Sequence, residues 1–146
     1  LPAVKLSAAT RAHLRQLMPG TQSLLERHEW LKHGTCSGVD ADTYFGRALG
    51  FLDLVNASPL QALFAGAVGR DLTLEAIRTA VDGSFGNGAG QRIRVSCSRG
   101  NGTRRITELT FGLDGDVAGD TALPALIMAA RPTKGGCDSG LVSAVN

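Results

Sequence analysis

Apolar positions recur every three to four residues through the first half of the chain and every second residue in part of the second half, which predicts helices followed by strands. Ser7 suits the cap of a helix through ATRAHLRQLM, since its hydroxyl can accept an orphan backbone N–H, and Pro19-Gly20 ends that helix. A second helix covers about LLERHEWLKH, with Gly34 suited to a left-handed residue after its end. Asp42 precedes TYFGRALGFLDLV, in which Phe45, Leu49, Leu52 and Val55 form a core stripe at helical spacing. Ser58-Pro59 opens a short helix, LQALFAG, and Thr73 caps LEAIRTAV.

The period then changes. GSFGNGAGQ, residues 83–91, reads as a flexible Gly-rich connection, after which Ile93, Val95 and Cys97 alternate with Arg94 and Ser96 as in a half-buried strand. Asn101-Gly102 is a hairpin turn signal, because a tight primed turn needs positive φ at both central residues. The return strand, TRRITELTFGL, sets Leu109, Phe111 and Leu113 on one face, and a last short strand is expected in LVSAV. Helices first and antiparallel strands second give an α+β class, with residues 1–146 as a single domain.

Composition narrows the function classes without choosing one. Hydrophobic residues at 43% and charged residues at 19% suit a globular chain, and no apolar run approaches the ~20 residues of a membrane span, so no membrane partner is expected. A net charge of +2 does not by itself mark a nucleic-acid binder. The N-terminus, LPAVKLSAAT, lacks Met and the features of a leader, and reads as a start inside a longer precursor. Cys36, Cys97 and Cys137 cannot all pair within the chain, so one is a free thiol or its partner lies elsewhere.

Candidate chemistry concentrates in HEWLKHGTC, His28 to Cys36. At about 100° per residue, His28, Lys32, Glu29 and His33 lie near ~0°, ~40°, ~100° and ~140° on a helix, sharing one face. Trp30 and Leu31 fall on the opposite side, where they are expected to anchor the helix in the core. Imidazole, carboxylate and ammonium groups on one face suit proton transfer combined with stabilisation of a developing anion. A zinc helix of the HExxH kind needs histidines four residues apart on one side; here the spacing is five and the rings diverge, so no metal site is expected. The plainer alternative is a solvated helix face with ordinary charges.

The full string HEWLKHGTC resembles the second active-site segment of the ribonuclease T2 family. The likeness extends to MPG followed by LLER, the YFGRAL and LEAIRTAV helices, the strand into Cys97 and the late Cys137, in the manner of the bacterial, periplasmic ribonuclease I-like branch. The resemblance implies a ribonuclease T2-like fold with N-terminal helices on an antiparallel sheet. It also implies a metal-independent endoribonuclease, without cofactors, acting on RNA in the periplasm or outside the cell. In such enzymes the 2′-hydroxyl attacks the adjacent phosphate, leaving a 2′,3′-cyclic phosphate that is hydrolysed to a 3′-phosphate. Carried over by position, His33 is the general base, Glu29 and Lys32 stabilise the phosphorane, and His28 holds a phosphate oxygen.

The family's first active-site segment, resembling HGLWP, supplies a second histidine and is not in this chain. His13, in RAHLRQLM, does not match it and reads as a surface residue. The resemblance implies a Cys97–Cys137 disulfide and an upstream partner for Cys36; reduced, buried cysteines are the alternative. The chain is therefore expected to be the C-terminal portion of a ribonuclease, partnered by its own N-terminal portion, without which its sheet would be incomplete. A different class is a catalytically incompetent RNA-binding or protein-interaction fragment. Arg92, Arg94, Arg99, Arg104 and Arg105 gather around the hairpin, as guides for RNA phosphates or as a solvated strand face. Where the family often carries aromatic residues before the motif, this chain has Leu24 and Leu25.

Overall fold

The computed structural model describes residues 1–145. The fold is α+β, with six α-helices and a four-stranded sheet among the described residues. The chain forms two compact units, residues 1–54 and the chain from Val55 onward.

The first unit contains α1 (Ala8–Leu17), α2 (Leu25–Lys32) and most of α3 (Ala41–Asn56). Ser7 caps α1 as its sequence suggests, its hydroxyl accepting the Thr10 N–H at 3.1 Å. The cap of α3 is Asp40, whose Oδ1 accepts the Thr43 N–H at 2.7 Å. Asp42 lies inside the first turn and reaches outward to the Ser7 N–H at 2.8 Å, tying the start of α3 to the start of α1. Val4, Leu14, Ala41, Phe45 and Leu49 form the core, with Trp30 and Tyr44 packed against it. Of the expected α3 stripe, Phe45 and Leu49 are buried, whereas Leu52 and Val55 are half-buried.

The second unit contains α4 (Pro59–Gly66), β1 (Asp71–Thr73), α5 (Leu74–Phe85), β2 (Ile93–Gly100), β3 (Thr103–Phe111), α6 (Leu123–Ala129) and β4 (Ser139–Leu141). The sheet order is β1-β4-β3-β2. The β2–β3 hairpin is antiparallel as expected; β1, which the sequence does not announce, pairs antiparallel with β4, and β3 and β4 run parallel, so the sheet is mixed. Asn101 and Gly102 turn the β2–β3 hairpin with φ of 54° and 76°, the positive pair that a primed turn requires. Ile93 and Val95 on β2 are fully buried, and Phe111 meets Phe85 edge-on at 5.8 Å. The last strand lies earlier than LVSAV suggests, because Ser139–Leu141 pairs with β1 and Val142 makes only an isolated bridge to Val68.

Residues 83–91 are built rather than flexible. Gly83, Ser84 and Phe85 complete α5, and the Asp82 carboxylate accepts N–H groups from both Gly88 (3.1 Å) and Gly90 (2.7 Å). Ala89 and Gly90 are buried in the short 3₁₀ turn that follows. Along the outer side of β2, the Val95 N–H donates to Gly135 and its carbonyl accepts from Cys137. That strand-like passage covers the β2 edge at this point and carries Cys137 to Cys97, with which it forms a disulfide.

Candidate active site

The helix bearing the HEWLKHGTC motif is short, and what fixes it is its aromatic footing. Leu24, in the left-handed conformation at φ 61°, turns the chain into α2 without a side-chain cap. The Trp30 ring packs edge-on against Tyr44 at 5.8 Å, and Tyr44 against the buried Phe45 at 5.2 Å. Gly34 is not left-handed as the sequence suggests; it opens a 3₁₀ turn, Gly34–Cys36. Its role is to leave room, since a Cβ there would stand 2.7 Å from Trp30 Cζ3 and closer still to Cε3. The turn is closed by Ser37 Oγ donating to the Gly34 carbonyl at 2.6 Å and Thr35 Oγ1 to the Leu31 carbonyl at 3.1 Å.

The buried side of α2 differs from the helical-wheel expectation. Leu31 is 43% exposed, while Glu26, one turn before Trp30, is 5% exposed and leaves its Oε2 without a hydrogen-bond partner. Residues four apart share a helix face, so the seat of α2 is Glu26 and Trp30. Only the acidic character of Glu26 hid this in the sequence.

With that side held, His28, Lys32 and His33 are exposed and Glu29 is half-buried. His33 lies one residue past the end of α2, at φ −123° and ψ −42°, its N–H still donating to the Glu29 carbonyl. Leaving the helix there does not separate the two side chains: His33 Nε2 stands 3.9 Å from Glu29 Oε2. Burial raises the Tyr44 pKa, and the negative charge of Glu29 raises it further. Tyr44 is thus an electrostatic neighbour of the cluster that motif reading alone does not select. A base, a carboxylate and a cation lie on one solvent-facing surface, an arrangement suited to accepting a proton beside a gathering negative charge.

His13 is engaged elsewhere, its Nε2 lying 3.1 Å from Asp53 Oδ2 between α1 and α3. Among the described residues no group of three or more histidines, cysteines, aspartates or glutamates is placed to hold a metal ion. Cys36 is an exposed free thiol.

Comparison with known proteins agrees with the motif. The model of the ribonuclease T2 family matches residues 5–121. Ribonuclease I of Escherichia coli (strain K12) is 30% identical over 143 residues, covering 97% of this chain and 52% of that protein. The chain thus spans about half the length of the curated relative it matches.

Proposed function

The chain belongs to the ribonuclease T2 family, and from that membership and the exposed face of α2 we propose that the complete protein is a metal-independent endoribonuclease acting on single-stranded RNA. His33 takes the proton of the 2′-hydroxyl as it attacks the adjacent phosphorus. Lys32 offsets the charge on the pentacoordinate phosphorane by its ammonium, and Glu29 by hydrogen bonding or proton sharing. His28 holds a phosphate oxygen. The 5′-oxygen leaves with a proton from a second acid, giving a 2′,3′-cyclic phosphate that water then opens to a 3′-phosphate.

That second acid is a histidine in the N-terminal portion of the same protein, which also carries the disulfide partner of Cys36. Two observations support this division: His13 is bound to Asp53, and the relative is about twice the length of the matched region. The Cys97–Cys137 bond favours an oxidising compartment, the periplasm or the exterior. Leu24 and Leu25, each 49% exposed ahead of the motif, offer aliphatic contact without ring stacking, in keeping with broad base preference.

The observation that carries the proposal is the Glu29–His33 pair on a helix held by Trp30. The test is digestion of single-stranded RNA by the complete protein with and without EDTA, with the product ends resolved. Cyclic phosphates formed equally in both support it; cleavage lost to EDTA and restored by zinc overturns it. Because the HEWLKHGTC segment supplies one of the two acid–base histidines that the proposed reaction needs, the second reading is a fragment that binds RNA or protein without cleavage. It predicts RNA retention and no cyclic product.

A further inference from the structure

The arginines of the second unit fall into two kinds. Arg78 and Arg92 are fastened to backbone carbonyls, Arg78 to Gly90 at 3.2 Å and Arg92 to Ala130 at 3.0 Å and Gly88 at 2.8 Å. Arg105 is held by Ser143 Oγ at 3.0 Å. These side chains brace the fold. Arg99 and Arg104 have no such acceptor among the described residues, in ion pairs or hydrogen bonds.

Their placement is a product of the sheet register. Between Ser96 and Cys97 the β2–β3 pairing slips by one residue, from Ser96 opposite Glu108 to Cys97 opposite Ile106, leaving Thr107 as the extra residue. The slip puts Ile106 on the same face as Cys97. Two residues nearer the turn it sets Arg104 directly opposite Arg99. Like charges directly opposed across two strands disfavour the pairing. Here they border a groove of roughly 410 Å³ whose lining also includes Thr103, Ser139 and Asp71. Two guanidiniums stand against one carboxylate, with two hydroxyl groups between β3 and β4 able to donate hydrogen bonds.

We infer that the groove bordered by Arg99 and Arg104 at the hairpin end of the sheet is a binding site for backbone phosphates of single-stranded RNA, a contact carried by the second unit in addition to the α2 cluster. The planar guanidinium fork matches two phosphate oxygens, and a ligand charge between the arginines removes their mutual repulsion. Contacts of this kind seat a strand without reading its bases. The assignment of RNA as the ligand rests on the proposed ribonuclease function.

The test is binding of a 20-nucleotide 2′-O-methyl RNA, which cannot be cleaved through a 2′-hydroxyl, to the complete protein across a salt series. The proteins compared are the wild type, R99A/R104A and R99K/R104K, each with its melting temperature measured. Each phosphate contact to a single strand contributes about 0.7 to the slope of log affinity against log salt, so the alanine pair should lose about 1.4. The lysine pair should recover most of the slope. An unchanged slope in a folded alanine variant overturns the site. Wild-type protein that binds this RNA through the two arginines yet leaves ordinary RNA uncut upholds the groove and overturns the catalytic proposal.

Discussion

His33 Nε2 stands 3.9 Å from Glu29 Oε2, within ion-pair reach and beyond hydrogen-bond distance, across one turn that ends as His33 leaves the helix. In the proposed mechanism this gap leaves the imidazole nitrogen room to meet a hydroxyl proton, and Glu29 serves the phosphorane that follows by hydrogen bonding or proton sharing. On that proposal Glu29 acts chiefly once charge has developed. Glu29→Ala should lower kcat by about 10²-fold with little change in KM, measured on a defined single-stranded substrate. A rise in KM at unchanged kcat would mean that Glu29 serves binding only.

Gly34 is where Trp30 rests, and any Cβ there meets the ring. Gly34→Ala should cost about 1–3 kcal/mol, read as a fall in the denaturation midpoint, because the ring or the turn must move. Activity should fall further than the lost stability explains, since the same ring sets the rotation of α2. An alanine variant with unchanged midpoint and activity would separate Trp30 from the site.

Asp40 and Asp42 have folded-state pKa values below the ordinary aspartate value of 3.8, Asp40 through the backbone and then the side chain of Thr43, Asp42 through the Ser7 backbone and the Thr10 hydroxyl. A depressed carboxylate contributes stability that is present above the ordinary value and is lost as pH falls through the lowered one. Acid should therefore loosen the α1–α3 junction below about pH 4. Asp42→Asn, which keeps an acceptor and removes the titration, should make the helical circular dichroism less sensitive to acid; an identical acid profile would contradict this.

Cys36 is exposed and free, whereas Cys97 and Cys137 are bonded to each other. Native alkylation of the 146-residue chain should add one label per molecule, rising to three after reduction and unfolding. In the complete protein Cys36 should resist native alkylation, and reduction should expose it. Ready labelling of Cys36 there would remove the proposed link to the N-terminal portion.

Much of the fold is legible because it is set by local chemistry. The Ser7 and Thr73 caps and the Asn101-Gly102 turn each follow from a side chain and its next few backbone groups. What escapes is decided at longer range. Residues 83–91 look flexible until Asp82 is seen to gather Gly88 and Gly90. The seven-residue α6 has too few turns to show a period, and the three residues of β1 exist as a strand because β4 pairs with them. In the candidate site the motif names His28, Glu29, Lys32 and His33, and the structure places them on one short segment. The support beneath them is less visible, because Tyr44 lies on another helix and Glu26 is a charged residue on the buried side.

The most direct measurement is the rate of 2′,3′-cyclic phosphate formation from a single-stranded RNA by the complete protein, wild type against His33→Ala. A loss of about 10²- to 10⁴-fold is expected in a variant whose circular dichroism and melting temperature match the wild type. Cyclic phosphate formed at a near wild-type rate by that variant would contradict it.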